Sequence, residues 1–201
     1  MRRIIVATGN RGKLEEIRSA LDFPGWEFVT AADLGADTLH VEETGETFLD
    51  NARLKAHAYR DAFGLAALAD DSGLEVDVLG GEPGVYSSRY AGETATDADN
   101  NEKLLAALAD TPCERRTARF RSVIVLVAED GIETVAEGAC EGSIDFEPRG
   151  TGGFGYDPLF LPDGHDRTFA ELESEVKCTF SHRAVAAAAM RETLQSLFVA
   201  R

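Results

Sequence analysis

Four consecutive apolar residues, Ile4-Ile5-Val6-Ala7, run into the polar turn Thr8-Gly9-Asn10-Arg11-Gly12-Lys13 and then into a stripe of Leu14, Ile17 and Leu21. The change from a continuous apolar run to three- and four-residue spacing reads as a buried strand over residues 3–7, a loop, and a helix over about 13–21. A strand-loop-helix opening of this kind directs the chain toward an α/β architecture.

The rest of the sequence extends that pattern. A second strand is expected near 26–31, followed by a carboxylate-rich loop and a helix from Thr47 to Phe63 with Gly64 as its C-terminal cap. Asn51 and Lys55, four residues apart, share a face of that helix. Leu65 to Ala69 reads as a strand that delivers Asp70-Asp71 at its C-terminal end, and Leu74 to Val78 continues extended toward the Gly80-Gly81-Glu82-Pro83-Gly84 turn. A helix from about Asp97 to Ala109 follows. Arg119–Val127 and Glu133–Gly138 flank the hairpin signal Asp130-Gly131, and a further strand is expected through Ser143 to Phe146. Tyr156 to Phe160 reads as strand, and a final helix runs from about Arg183 to Val199. With no internal repeat or long linker, the expectation is a mixed central β-sheet flanked by helices in a single domain over residues 1–201.

Composition narrows the partners. At 201 residues and 44% hydrophobic content the chain can bury a sizeable core. A formal charge of -16 argues against bulk attraction to nucleic acid or to an anionic membrane, both of which need clustered Lys and Arg. The three cysteines, Cys113, Cys140 and Cys178, form no C-x-x-C pair, so reduced thiols and a cytoplasmic location are expected. The apolar run after Met1-Arg2-Arg3 is too short for a signal segment or a membrane span. Only four lysines stand against sixteen arginines, and Lys13, Lys55 and Lys177 fall in the motif segments.

Those segments suggest chemistry. In the Thr8–Lys13 turn, backbone N–H groups, a helix N-terminus and a lysine converge, which suits a triphosphate, although an ordinary strand-helix turn explains it equally well by itself. It is not a Walker A loop, since Leu14 follows the lysine where Ser or Thr is needed. Asp70-Asp71, with Glu42-Glu43 in the preceding loop, could gather oxygen ligands for Mg²⁺, which takes a few carboxylates and completes its shell with phosphate oxygens. Gly150-Thr151-Gly152-Gly153-Phe154-Gly155 matches G-x-G-x-x-G but lacks the following helix, so a loop presenting Phe154 for stacking, with Asp157 accepting from a ring N–H, is a better reading, although taken alone the segment reads first as a glycine-rich hairpin connection. Ser181 reads as an N-cap, leaving His182 and Arg183 at a helix start where both could donate to a ligand carbonyl.

In order and spacing, Thr8-Gly9-Asn10-Arg11-Gly12-Lys13, Asp70-Asp71-Ser72-Gly73, Phe154-Gly155-Tyr156-Asp157-Pro158 and Ser181-His182-Arg183 resemble the inosine triphosphate pyrophosphatase family over nearly the whole chain. That resemblance implies an elongated, two-lobed α/β protein with its active-site cleft between lobes, acting as a homodimer on deaminated purine nucleoside triphosphates. It implies that Thr8, Asn10 and Lys13, with the intervening Gly9, Arg11 and Gly12, hold the triphosphate. Glu42 and Asp71 would bind Mg²⁺, Asp71 would be the general base, and Ser72, Lys55 and Lys177 would contact and orient the substrate. Phe154, Gly155, Tyr156 and Asp157, with His182 and Arg183, would enclose the base. Glu43 remains an alternative to Glu42, and Asp70 could share the base role with Asp71. A Maf-type pyrophosphatase and a non-catalytic nucleotide sensor are the rival readings. The Ser-His-Arg element argues against the first, and Asp71 beside metal ligands against the second.

Overall fold

The computed structural model describes residues 2–21 and 25–199, and the side chains of Arg11 and residues 196–199 lie outside that description. In chain order the elements are β1 (Arg2–Val6), α1 (Arg11–Ala20), β2 (Trp26–Val29), α2 (Phe48–Phe63), β3 (Ala66–Val76), α3 (Asp97–Ala107), β4 (Thr117–Val127), β5 (Glu133–Ile144), β6 (Phe160–Pro162), α4 (Ser174–Phe180) and α5 (His182–Val199). The strands form one mixed sheet in the order β2-β1-β3-β4-β5-β6. β1 pairs in parallel with both β2 and β3, which requires crossover connections, and α1 and α2 supply them. β6 runs antiparallel to β5.

Local chemistry sets the helix ends as the sequence anticipates. Thr47 Oγ1 accepts the Asp50 N–H at 3.1 Å to start α2, and Gly64, left-handed at φ 64°, ends it by donating to Arg60 O. Thr96 and Asp99 form a reciprocal capping box at the start of α3.

The chain divides into two compact units, the first comprising Met1–Asp71, Ser122–Gly138 and Arg183–Arg201, and the second Ser72–Arg121 and Ala139–His182. Each has its own core. In the first, Ile4, Val6, Leu68, Ile124 and Leu126 pack with Ile17 and Leu21 of α1 and with Ala186, Ala187, Met190 and Leu194 of α5. In the second, Leu74, Leu104, Leu108, Phe120, Ile144, Phe160 and Phe169 form the centre, with Phe120 and Phe160 edge to face at 4.7 Å. Among the described residues no helix is long and apolar enough to cross a membrane.

Four local expectations change. Asp70-Asp71 do not end a strand: β3 continues unbroken from Ala66 to Val76, so the pair lies mid-strand. The separate strand expected over 143–146 is the end of the longer β5, which stops at Ile144. The segment 156–160 turns instead of extending, with Leu159 and Phe160 N–H groups donating to Tyr156 O, because Gly153 and Gly155 adopt φ 72° and 61° and reverse the chain there. The short helix α4 has no counterpart in the sequence reading.

Gly142 of β5 sits opposite Pro162 of β6. A Cβ there would press on the Leu161 carbonyl and approach the Phe160 ring to 2.7 Å. Gly142→Ala is therefore expected to lower stability by about 1–3 kcal/mol, measured as a shift of the urea unfolding midpoint.

Candidate active site

In the first unit the site begins at the turn between β1 and α1. Asn10 caps α1, its Oδ1 accepting the Lys13 N–H at 3.1 Å, and Thr8 Oγ1 accepts the Asn10 N–H at 3.1 Å. Gly9 and Asn10 are exposed, Thr8 and Gly12 half-buried. The turn thus keeps one N–H row at a helix N-terminus ordered by its own side chains, and Lys13 leans from it toward β3.

There the two neighbouring aspartates, whose side chains leave a strand in opposite directions, meet opposite charge balances. Asp70 Oδ2 lies 3.0 Å from Lys13 Nζ and 3.4 Å from Arg183 Nε, and Asp70 Oδ1 accepts from Ser122 Oγ at 2.6 Å. Burial opposes its charge, but Lys13 and Arg183, the Ser122 hydrogen bond and the more distant Lys55 outweigh burial and hold the carboxyl far below the usual range. Lys13, sharing one carboxylate with Arg183, has its pKa lowered by burial, with Arg183 and Lys55 adding to the effect and Asp70 opposing it.

Around Asp71 the ratio is reversed. Lys55 Nζ donates to Asp71 Oδ1 at 2.8 Å, to Glu43 Oε1 at 2.9 Å and to the Asp70 carbonyl at 2.9 Å, so one ammonium serves two carboxylates. Burial would lower the Lys55 pKa, yet Asp71 and Glu43 more than offset it and raise it. Asp71 is raised, by burial first, because its share of Lys55 does not make up for lost water and Glu43 adds repulsion. The two directions agree once the stoichiometry is counted: Lys55 faces two carboxylates, while Asp71 shares its nearest cation with Glu43. A carboxylate in that condition is a ready acceptor for a proton or a cation.

Glu42 is exposed and Glu43 half-buried, and it is Glu43 that Lys55 engages. Ser72 is half-buried beside Asp71 in β3. Arg183 starts the second residue of α5 with its guanidinium on Glu16 at 2.6 Å as well as on Asp70.

The second unit holds the remaining segments. Asp157 Oδ2 accepts from Lys177 Nζ at 2.7 Å and from the Phe154 N–H at 3.0 Å, and both Asp157 and Lys177 are buried. Lys177 Nζ lies 5.3 Å from the centre of the half-buried Phe154 ring and 5.1 Å from that of Phe169. Gly153 permits this packing, since a Cβ on it would collide with the Asp157 carboxylate. His182 is buried and stacked on Phe120, centroids 4.8 Å apart and planes at 13°. Tyr156 faces the core, its hydroxyl donating to Ser87 O at 2.9 Å, and burial pushes its pKa well up. The structure therefore gathers Phe154, Asp157 and Lys177 closely, while the Tyr156 ring is turned away from them into the packed interior.

The chain matches the Ham1 family over residues 4–193. The dITP/XTP pyrophosphatase of Xanthomonas campestris pv. campestris is 51% identical over 200 residues, covering 98% of this chain and 99% of that protein. That of Escherichia coli is 48% identical over 198 residues, covering 98% and 100%. Among solved structures, the Ham1 protein from Coxiella burnetii superimposes with a TM-score of 0.88 at 41% identity, covering 98% of this chain and all of its own. The chain belongs to the Ham1 family.

For a Ham1-family chain, several residues around these segments escape sequence reading. Glu16, Asp97 and Asn101 carry no motif, and each contacts a motif residue: Glu16 holds Arg183, while Asp97 and Asn101 hold Gly155. One signal was present in Asn100-Asn101, two consecutive asparagines inside a helix, where such side chains compete with the backbone unless other groups occupy them. Both are buried.

Proposed function

We propose that this chain hydrolyses deaminated purine nucleoside triphosphates, ITP, dITP, XTP and dXTP, to the monophosphate and pyrophosphate, removing damaged purines from the pool that feeds DNA and RNA synthesis. The observation that carries the reading is end-to-end likeness, at about half identity, to proteins named dITP/XTP pyrophosphatase. The buried Asp71, which shares Lys55 with Glu43, supplies matching chemistry.

The donor set suits Mg²⁺. Its ligands are hard oxygens, usually one or two carboxylates with substrate phosphates, and Asp71 lacks full compensation for its charge. Among the described residues no group of three or more His, Cys, Asp or Glu side chains is placed to hold an ion, and in this reading phosphate oxygens supply the remaining ligands. We assign Asp71 and Glu42 as ligands, with Glu43 as the alternative to Glu42, since Lys55 bonds Glu43 as it bonds Asp71. When bound, the ion supplies charge neutralisation along the triphosphate.

The remaining roles belong to the chain. The Thr8–Lys13 turn, with Gly9, Asn10, Arg11 and Gly12, receives the triphosphate, and Lys13 and Lys55 balance its charge. Asp71 takes a proton from the attacking water as its oxygen bonds to the α-phosphorus, and the bond to the β-phosphate oxygen breaks to release pyrophosphate. Asp70 is a poor base, since Lys13, Arg183 and Ser122 hold it ionised and occupied. Ser72 contacts the substrate, Lys177 supports its charge and orientation, Phe154 stacks on the base, Gly155 and Tyr156 shape the loop, and Asp157, His182 and Arg183 read the base edge. Donors aimed at a 6-oxygen would face the 6-amino group of adenine, and a buried mismatch of that kind discriminates by about 10⁴. For Arg183 that part requires its guanidinium to exchange Glu16 or Asp70 for the base oxygen.

The reading also takes the enzyme as a cytoplasmic homodimer with no nucleic-acid or membrane partner, in keeping with the charge of -16. The test is release of monophosphate and pyrophosphate from ITP, XTP, dITP, ATP, GTP, CTP and UTP, with Mg²⁺ and with EDTA. Metal-dependent cleavage confined to ITP, XTP and dITP is expected, and equal cleavage of all seven would remove the base-reading role.

A further inference from the structure

We propose that Asp97 and Asn101 of α3 are positioning residues for base selection, acting by clamping the single residue Gly155 between Phe154 and Tyr156. The proposal rests on the function argued above and deepens it, since neither residue touches a nucleotide in that reading. Asp97 and Asn101 are four apart and so lie on one face of α3. Asp97 Oδ2 accepts the Gly155 N–H at 2.7 Å, and Asn101 Nδ2 donates to the Gly155 carbonyl at 2.9 Å. Both polar groups of one residue are thus held by one helix face, with the acceptor and the donor in fixed order.

The clamp matters because of what Gly155 separates. At φ 61° it turns the chain so that Tyr156 enters the core of the second unit while Phe154 stays half-buried. Tyr156 is fixed on its side by the bond to Ser87 O at 2.9 Å, and α3 is anchored to the same stretch by Asn100, which accepts from Ala91 N–H at 2.8 Å and donates to Ser88 O at 3.2 Å. On the other side Asp157 receives Lys177 and the Phe154 N–H. The peptide of Gly155 is where those two anchorages meet, so its orientation sets the direction of the Phe154 ring and of the Asp157 carboxylate. A stacking ring and a hydrogen-bonding edge displaced by a fraction of an ångström lose discrimination before they lose chemistry, because the reacting phosphorus is served by other residues.

The chemistry of the two contacts prescribes the test. Asp97 needs only an acceptor, so Asp97→Asn should keep the clamp and Asp97→Ala should lose it. Asn101 needs a donor, so the isosteric Asn101→Asp should fail by placing an oxygen against the Gly155 carbonyl. With purified full-length enzyme, kcat and KM are measured for ITP and ATP, alongside the urea midpoint and amide exchange of residues 150–157 without nucleotide. Asn101→Asp and Asp97→Ala are expected to reduce the ITP-to-ATP ratio of kcat/KM by about tenfold, through KM for ITP with kcat within about threefold, and to speed exchange in 150–157. Asp97→Asn is expected to match the wild type in ratio and exchange. The proposal is overturned by an unchanged ratio in Asn101→Asp, by Asp97→Asn failing as Asp97→Ala does, or by ratios that simply follow the urea midpoint. A wild type that does not distinguish ITP from ATP would instead overturn the proposed function, and with it the selective role, while faster exchange in Asn101→Asp would still establish the clamp.

Discussion

Asp71→Asn is expected to lose pyrophosphate release from ITP by about 10²–10⁴-fold, the usual range for removing a general base. The substitution keeps shape and removes charge, so its effect isolates the carboxylate. Lys55 retains Glu43 and the Asp70 carbonyl as partners, which preserves the surroundings. ITP binding, measured by calorimetry on the inactive variant, should therefore stay within about tenfold of the wild type, because the binding contacts of the turn and of the Phe154 loop are untouched. Near-normal turnover would remove Asp71 from the proton-accepting role, and Asp70, locked among cations, would not inherit it.

The neighbouring substitution should act on stability instead. Asp70→Asn takes one counter-charge from the half-buried Lys13 and the buried Arg183, which keeps Glu16, and breaking a buried ion pair on one side costs about 3–5 kcal/mol. The urea unfolding midpoint reports it, and a loss under about 1 kcal/mol would mean that Glu16 alone satisfies Arg183. The pH dependence has a definite sign. Because the folded-state pKa of Asp70 is held below its ordinary 3.8, its contribution is present above that value and is lost as the pH falls below it. The wild type should lose this increment in acid, and Asp70→Asn should show none of it.

The contrast between these two adjacent residues marks where sequence reading stopped. A dyad of aspartates in an apolar stretch announced a site, but the choice between Asp70 and Asp71 depends on which cations arrive from elsewhere. Lys13 comes from α1, Lys55 from α2 and Arg183 from α5, and no local pattern encodes their convergence on β3. The same holds for Glu43, which meets Lys55 only in the folded chain.

Local chemistry was more legible. The strand-turn-helix opening, the capped helix α2 with Gly64 as its stop, and the long C-terminal helix all appear near the expected bounds, since caps and apolar periodicity act within a turn or two of chain. Besides the merged strand at 143–144 and the unforeseen α4, the misreadings lie at 156–160 and at β3. At 156–160 a β-like composition yields to positive-φ glycines and to side-chain bonds from Asp157, and at β3 the strand runs on past the carboxylates beside β4. Periodicity and caps thus determined most of the strands and helices, but not the short α4, the turn at 156–160 or the mid-strand place of Asp70-Asp71. Only the tertiary structure decided the opposite pKa directions of Asp70 and Asp71, the burial of Tyr156 and the hold of α3 on Gly155, because burial and Coulomb energy depend on distances between residues tens of positions apart.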